Sequence, residues 1–325
     1  MGYMSSLKTL ISVYCVHCTL FKSVVVLYQT CFVILAEPLL LLCLLLSVHW
    51  PFSVCMFIKG WKTIIVTHDP CTDTSAFSST LFPTVLFPLW FLASAPDAAT
   101  PSFPLYNPDV VFLQELVPPY VQFLKKWFVS YLMIEGAEEG YFTGMLLKKS
   151  RVTLVESEIV PYRTTQMMRN LLVAQVIVDG QKLCLMTSHL ESGKACSKER
   201  MNQLHVVKWR FKRAPDDVTV VFGGDTNLRD AEVTKVGLPA TVCDVWERLG
   251  KQEHCCYTWD TTTNTNQNIS TPARFRFDRI YLRPAIKRGV PRLAPDHMAL
   301  VGLEKLDCGR YTSDHWGIYC TFSAE

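Results

Sequence analysis

A strand–turn–strand signal in the middle of the chain limits the folds open to it. Leu171–Val178 and Lys182–Thr187 are two apolar runs, and Asp179-Gly180 lies between them. An Asp-Gly pair between such runs favours a two-residue turn and therefore a β-hairpin. The sequence thus predicts antiparallel pairing here, which argues against a doubly wound parallel sheet.

Strand-like runs outnumber helical ones in the rest of the chain. Helices are predicted for Tyr120–Phe128, which Pro118-Pro119 precede, and for Ser197–Lys212. Further strands are predicted for Asp109–Leu113, Tyr141–Lys148, Val218–Phe222, Phe275–Leu282 and Trp316–Phe322. Many strands with few helices predict an α/β sandwich of two sheets.

Composition divides the chain near residue 104. The first hundred residues contain four Lys, four acidic residues, no Arg and no Asn. The remainder has ordinary charged composition, with 28 Lys and Arg against 25 Asp and Glu, a surplus too small to indicate nucleic-acid binding alone. We therefore predict an atypical apolar segment over 1–104 and a catalytic domain over 105–325.

Residues 24–48 are the most apolar part of the N-terminal segment. Their length would suffice for a membrane span, but Glu37-Pro38 at the midpoint opposes one. Three interpretations stay open: a membrane anchor, an unusual soluble extension, or the product of a misassigned or alternatively spliced first exon. The last is favoured.

Polar residues follow two of the predicted buried strands. Glu115 follows the first and could be an exposed strand-end residue or an oxygen ligand for Mg²⁺. Asp225 and Asn227 follow another and, in an extended segment, would face the same way. They could close the strand as an Asx turn, or supply a base and an orienting amide for phosphodiester hydrolysis.

Histidines beside carboxylates complete the candidate chemistry. His315 follows Asp314, and Asp278 in a later strand is a plausible partner that could orient its ring. Such a histidine can donate to a phosphate oxygen as negative charge builds. His189, just past the hairpin, could be a phosphate contact or an ordinary loop histidine.

With these residues in this order, the chain resembles the exonuclease–endonuclease–phosphatase superfamily, whose members have the DNase I-like two-sheet fold. The resemblance runs from about Leu105 to the C-terminus. The segments that carry it are PDVVFLQE, EEGYFTG, TTQMMRNLL, LMTSHLES, ERMNQL, GGDTNLRD, YTWDT, RFDRI and GLEKLDCGRYTSDHWG. The segments TWDT, GDTNLRD and GLEKLDCGR favour the branch that acts on tyrosyl-DNA.

The resemblance implies a role for each candidate residue. Glu115 would bind Mg²⁺, or Mn²⁺ in its place. Asp225 would accept a proton from water, and Asn227 would position the phosphate. His315, oriented by Asp278, would stabilise the pentavalent phosphate, and Asp314 would support this cluster.

The resemblance also implies a substrate and a path for it. The substrate would be a DNA end whose 5′-phosphate is joined to a tyrosine of a topoisomerase II-derived peptide, and hydrolysis in a nuclear DNA-repair pathway would leave a 5′-phosphate. The path would follow Glu139, Gly140, Tyr141, Phe142, Thr143, Gly144, His189, Leu190, Glu191, Ser192, Gly193, Lys194, Leu228, Arg229, Trp259, Arg276 and Phe277. Aromatic rings there would stack on nucleotides.

One part of the family pattern is missing. Members of the family open this domain with a strand that ends in Trp-Asn and is followed by an Asp, yet no Trp-Asn precedes Glu115 here. No segment in 1–100 resembles the small ubiquitin-binding module found in some members. The sequence therefore predicts a sheet that is incomplete at its N-terminal strand, with an unpaired edge, poor stability, and weak or absent activity.

Other functions fit part of the pattern. Inositol phosphatases, sphingomyelinases and abasic-site endonucleases share the Asp-x-Asn and Asp-His pieces. A different alternative is an inactive, membrane-tethered binding protein that uses residues 24–48 as its anchor.

Overall fold

The strands assemble into two large sheets and one small one. The computed structural model describes residues 62–66, 107–267, 269–305 and 309–325, so residues 24–48 lie outside the described part. The described strands are β1 (Lys62–Val66), β2 (Val110–Leu116), β3 (Tyr131–Glu135), β4 (Phe142–Lys148), β5 (Val152–Pro161), β6 (Asn170–Val178), β7 (Gln181–Ser188), β8 (Val218–Asp225), β9 (Cys243–Asp244), β10 (Trp259–Asp260), β11 (Arg274–Phe275), β12 (Asp278–Arg283), β13 (Leu293–Val301) and β14 (Gly317–Ala324). The described α-helices are α1 (Pro118–Trp127), α2 (Ser197–Arg213), α3 (Asp230–Val236) and α4 (Val245–Arg248).

The two large sheets pack face to face. One has the strand order β13-β14-β1-β2-β4-β3 and the other β5-β6-β7-β8-β12-β9, while β10 and β11 form the small sheet. A central apolar cluster that includes Phe112, Leu172 and Ile280 fills the space between them. Helix α1 covers the outer face of the first sheet and α2 covers that of the second, through Leu124 and Phe211 respectively. The predicted two-sheet α/β sandwich is confirmed.

The predicted hairpin is confirmed in detail. Asp179 and Gly180 have φ values of 46° and 81°, the left-handed conformation that an Asp-Gly turn between twisted strands requires. The two flanking strands then pair in register from Leu171 opposite Ser188 to Val178 opposite Gln181.

The prediction of a single strand over Phe275–Leu282 is wrong. The chain leaves the small sheet after Phe275 and enters the second large sheet at Asp278. The break falls where the Phe277 carbonyl accepts a hydrogen bond from the Thr226 backbone amide at 2.8 Å, outside either ladder. Strands β3, β5 and β13 were not predicted from the sequence, and two of them, β5 and β13, carry polar, exposed residues on a sheet edge.

The prediction of an unpaired edge at the N-terminal strand is also wrong. Strand β1 lies between β2 and β14, antiparallel to β2 over all five of its residues and parallel to β14 at Ile64 opposite Ile318. The run Lys62–Val66 can take this place because Thr, Ile and Val favour strands. It comes from the segment 1–104 that composition sets apart, so the boundary at residue 104 stays a prediction.

Strand direction brings the candidate residues to one edge of the sandwich. Strands β7 and β8 are parallel, and β12 runs antiparallel to β8 with Asp278 opposite Asp225. The ends of β7 and β8 therefore meet the start of β12. Within the described residues, no helix combines the length and the apolar character that a membrane crossing requires.

Candidate active site

Asp225 stands at the end of β8, fully buried and surrounded by hydrogen-bond donors. Its Oδ2 lies 3.1 Å from Asn227 Nδ2 and 2.9 Å from His189 Nε2. Its Oδ1 accepts the Asn227 backbone amide at 3.1 Å, which is the Asx turn expected after such a strand. The two interpretations of the sequence, an Asx turn and an Asp–Asn pair, therefore describe the same structure.

Asn227 meets Asp225 by a different route from the predicted one. The segment is not extended, because Asn227 has a φ of 51°, a conformation that Asn adopts more readily than most residues. The second amide hydrogen of Asn227 goes to the Leu190 carbonyl at 3.2 Å. The amide thus fixes the orientation of the Asp225 carboxylate and ties it to the His189 loop.

His315 and Asp278 form a buried pair next to this group. His315 Nδ1 lies 2.7 Å from Asp278 Oδ2, and both side chains are at most 2% exposed. The structure thus brings the predicted pair together, and the orienting role of Asp278 stays a prediction. Of the two ring nitrogens, Nδ1 is therefore the one that contacts Asp278.

The ligand atoms of Asp225, Asp278 and His315 all lie within 4.8 Å of one another. Asp278 Oδ1 is buried and has no hydrogen-bond partner among the described residues. Because an unsatisfied buried carboxylate oxygen is costly, this atom indicates that a cation or a proton donor can be accommodated here.

Glu115 faces the same group from the other sheet. It is the penultimate residue of β2, with a φ of 63°, and its Oε1 lies 3.8 Å from His189 Nδ1. Burial raises the pKa of the Tyr141 phenol, and the Glu115 carboxylate, to which that phenol donates a hydrogen bond, raises it further. Tyr141 therefore stays protonated and orients a carboxylate that is only 11% exposed.

Aromatic rings line one side of the site. The rings of Phe275 and Phe277 stack with their centroids 4.9 Å apart, and the Trp259 ring lies 5.8 Å from that of Phe277. The guanidinium of Arg229 sits over Phe277 at 4.8 Å, and the His315 ring lies 6.0 Å from the same phenyl group. The rings of Trp259, Phe275 and Phe277 thus form an apolar wall, and Arg229 adds one positive charge to it.

Some predicted contact residues belong to the core instead. Phe142, Leu190 and Leu228 are at most 4% exposed and pack in the apolar clusters under the helices. Thr143 is equally buried, and Gly144 allows close strand packing because a Cβ there would lie 2.6 Å from Leu116 Cδ1. These residues are part of the packed core that supports the site.

Three other predicted residues have their charge engaged elsewhere. Glu191 is fully buried and accepts hydrogen bonds from Thr165, Gln203 and the Gln166 backbone, so it fastens loops together. Arg276 is bound by Asp244 at 2.6 Å and Asp230 at 3.2 Å. Asp314 accepts a hydrogen bond from Gln267 and does not join the cluster of Asp225, Asp278 and His315.

The remaining predicted contacts lie at the rim. Glu139, Gly140, Gly193 and Lys194 are exposed, and the Ser192 hydroxyl is 3.4 Å from Met167 Sδ. Both glycines have positive φ values, 79° for Gly140 and 87° for Gly193. The DNA-contacting role of these residues stays a prediction.

Sequence reasoning missed two groups that touch the site. Arg169 places a guanidinium nitrogen 3.1 Å from His189 Nδ1 and lies over the Tyr141 ring at 5.6 Å. Gln114 is fully buried and donates to Thr187 Oγ1 at 3.0 Å, which links the two sheets just behind Glu115. A polar Gln inside an apolar strand was the available signal for the second; for Arg169 the sequence offered none.

The fold is that of the DNase I-like class: two packed sheets that bring Asp225 with Asn227, and Asp278 with His315, to one edge. The profile of the Endonuclease/Exonuclease/phosphatase family matches residues 95–315. The chain belongs to this family.

Among named relatives, the chain is similar to tyrosyl-DNA phosphodiesterase 2. It is 67% identical to that protein of Danio rerio over 220 residues, which are 67% of this chain and 59% of the relative. It is 56% identical to that of Homo sapiens over 217 residues, 66% of this chain and 59% of the relative. The chain thus spans about three fifths of the length of these relatives.

A solved structure extends the similarity to the fold. The crystal structure of D. rerio TDP2 complexed with a single-strand DNA product matches with a TM-score of 0.67 and 57% sequence identity, over 81% of this chain and 99% of that chain. A crystal structure of C. elegans TDP2 matches at 29% identity with a TM-score of 0.58, over 67% of this chain and 64% of that chain.

Proposed function

We propose that this chain is a divalent-metal-dependent phosphodiesterase that hydrolyses the bond between a protein tyrosine and the 5′-phosphate of DNA, leaving a 5′-phosphate. The observation that carries the proposal is the meeting of Asp225 with Asn227 and of Asp278 with His315 across strands β8 and β12. Similarity to tyrosyl-DNA phosphodiesterase 2 over 220 residues supports the choice of substrate.

The donor chemistry of the site fits a hard cation. Glu115 offers a carboxylate near the buried cluster, and Asp278 Oδ1 lacks a hydrogen-bond partner among the described residues. Mg²⁺ prefers such oxygen ligands, with Mn²⁺ as an acceptable substitute. Glu115 would hold the ion, which when bound would polarise the phosphate and offset its negative charge.

Asp225 would act as the base. Its carboxylate is held in place by Asn227 and His189, and it would take the proton of a water that attacks phosphorus. The P–O bond to the tyrosine oxygen breaks as the new P–O bond forms. Since both amide hydrogens of Asn227 are already used by Asp225 and Leu190, its first task is to orient the base.

His315 would stabilise the phosphate from the opposite side. Its Nδ1–H would donate a hydrogen bond to Asp278 Oδ2, and the imidazolium form of the ring would then donate from Nε2 to a phosphate oxygen. The wall of Trp259 and Phe277 would stack on nucleotides near the 5′ end, worth about 1–3 kcal/mol per base. Arg229, over Phe277, supplies a charge for the DNA backbone without reading sequence.

Partners and location follow from the substrate. The protein side of the adduct would be a topoisomerase II-derived peptide, and a DNA-end repair enzyme of this kind would work in the nucleus. No Trp-Asn occurs before Glu115, and in the family that Asn and the Asp after it help hold the metal and the phosphate, so we expect the activity of this chain to be weak.

The test uses an oligonucleotide with a 5′-phosphotyrosyl end and a 3′ fluorophore. In Mg²⁺ and ¹⁸O-water the full chain should release tyrosine and leave an oligonucleotide 5′-phosphate that carries one ¹⁸O. Matched 3′-phosphotyrosyl DNA, an abasic-site duplex, an inositol phosphate and sphingomyelin test the other family chemistries. The proposal is contradicted if EDTA does not inhibit the release of tyrosine, if ¹⁸O appears in the tyrosine, or if no tyrosine is released.

A further inference from the structure

The loop that carries His315 is bonded to a second loop by two asparagine side chains. Asn266 Nδ2 donates to the Tyr311 carbonyl at 2.7 Å and to the Ser313 carbonyl at 3.0 Å, while its Oδ1 accepts the Tyr311 amide at 2.8 Å. Asn264 Nδ2 donates to the same Ser313 carbonyl at 2.8 Å. We call Asn264 and Asn266 the amide clamp.

The clamp is itself held rigidly. Asn264 is 3% exposed, and its side-chain Oδ1 accepts the Asn266 backbone amide at 3.1 Å. The backbone amide of Asn264 donates to the Asp260 carbonyl at 2.9 Å. Asp260 is in turn bound by Arg274 at 2.9 Å. The clamp therefore transmits the position of the small sheet β10–β11 to the loop that precedes His315.

A second attachment holds the other side of the histidine. The Thr258 carbonyl accepts the Trp316 amide at 2.7 Å, and the Thr258 hydroxyl accepts the Asp278 amide at 3.0 Å. Residues on both sides of His315 are thus bonded to the segment 258–266. The contact with Asp278 fixes the rotation of the His315 ring about its side-chain bonds. The hydrogen bonds to the backbone of Tyr311, Ser313 and Trp316 fix the position of the loop that carries the ring.

We propose that Asn264 and Asn266 are positioning residues that set the location of His315 relative to Asp278 and the scissile phosphate. The inference rests on the proposed hydrolytic function. A misplacement of about 1 Å in a catalytic group can cost about a hundredfold in rate, and the clamp contributes four hydrogen bonds against such a shift. Neither amide needs to touch the substrate for this role.

Asn266→Asp is the decisive variant, because Asp is almost isosteric with Asn. It keeps an oxygen for the Tyr311 amide but replaces the donor by an oxygen that faces two carbonyls. Thr265→Ala is the matched control, since Thr265 is exposed and lies between the two clamp residues. Asn266→Ala removes the clamp without adding repulsion.

The closing experiment measures steady-state kinetics on the 5′-phosphotyrosyl oligonucleotide together with proton NMR and amide exchange of the same proteins. For Asn266→Asp we expect kcat to fall about 10- to 100-fold with KM within about twofold, while Thr265→Ala matches wild type. Asn266→Ala should fall between them. The deshielded Nδ1 proton of His315 should broaden or shift, and the Tyr311 amide should exchange faster, in the two Asn266 variants alone.

The outcomes separate this inference from the proposed function. If wild type is active and Asn266→Asp keeps its kcat, or if KM rises while kcat holds, the positioning role is overturned. If wild type shows no Asp225-dependent hydrolysis, the proposed function fails. The NMR and exchange data then still decide whether the clamp places His315, and an unchanged Nδ1 resonance and Tyr311 exchange rate overturn it.

Discussion

Arg200 offers the most direct test of what holds the site together. It is 1% exposed on helix α2, and its guanidinium donates to Glu232 at 2.7 and 3.2 Å and to the carbonyls of Glu191 and Gly193 at 3.0 and 2.7 Å. Glu232 also accepts the Arg229 amide at 2.9 Å. One buried residue thus joins the loop after His189 to the loop after Asn227.

Arg200→Met keeps most of the side-chain length but leaves Glu232 and two carbonyls without their donor. Removing one partner of a buried ion pair costs about 3–5 kcal/mol. At about 2–4 °C per kcal/mol for a domain of this size, the thermal midpoint should fall by about 10 °C.

The matched control is Arg210→Met on the same helix. Arg210 makes a bidentate pair with Glu158, but the two side chains are 24% and 49% exposed, so the pair is worth about 0–1 kcal/mol. Its midpoint should stay within about 3 °C of wild type. Calorimetry of the three proteins in one buffer provides the comparison. Equal shifts of the thermal midpoint for the two variants would refute the conclusion that Arg200 joins the two loops.

Three further predictions follow from the same contacts. Burial alone would raise the pKa of Glu232, but hydrogen bonds from Arg200, Ser197 and the Arg229 backbone outweigh it and hold the pKa below its ordinary value of 4.5. The stability that the Glu232 carboxylate contributes is therefore present at neutral pH and is lost as pH falls through that lower value. The urea midpoint should therefore differ less between pH 7 and pH 4 in Glu232→Gln than in wild type, and an equal difference in the two proteins would oppose this. Asp278→Asn should lower kcat by at least about a hundredfold because His315 loses its carboxylate, yet leave the unfolding midpoint equal or higher because Asp278 Oδ1 is unsatisfied; a drop in stability with retained kcat would reverse our interpretation. Ile64→Pro should lower the thermal midpoint by several degrees, since proline removes a backbone donor from a strand paired on both sides, and an unchanged midpoint would argue against the position of β1.

Local pattern predicted much of the fold because its signals are short-range. The Asp179-Gly180 turn specifies its own hairpin, and the apolar period of Ser197–Lys212 specifies a helix that is observed over Ser197–Arg213. Edge strand β5 escaped prediction because its exposed residues, such as Glu156 and Glu158, carry no alternation that distinguishes a strand from a loop. Strand β1 escaped it because pairing with β2 and β14 is a long-range property.

Site residues were predictable where chemistry and sequence position coincide. Asp225 and Asn227 end a buried strand, and a His–carboxylate pair is a recognisable unit, so both groups were found. The partner of each charge was harder to predict: Arg276 alternates with Asp278 in sequence, yet its guanidinium binds Asp244 and Asp230 because the chain changes sheets at that point. The amide clamp was missed because Asn in a polar loop has no distinguishing pattern.

Single-turnover release of tyrosine from 5′-phosphotyrosyl DNA is the measurement that tests the central claim most directly. Wild type and Asp225→Asn are compared in Mg²⁺, in EDTA and with added Mn²⁺. The proposed site predicts metal-dependent release by wild type and a loss of at least about a hundredfold in Asp225→Asn, since the amide keeps the size of the carboxylate but cannot accept the proton. Equal rates for the two proteins, or no release by wild type, would contradict the assignment of Asp225 as the base of a phosphodiesterase.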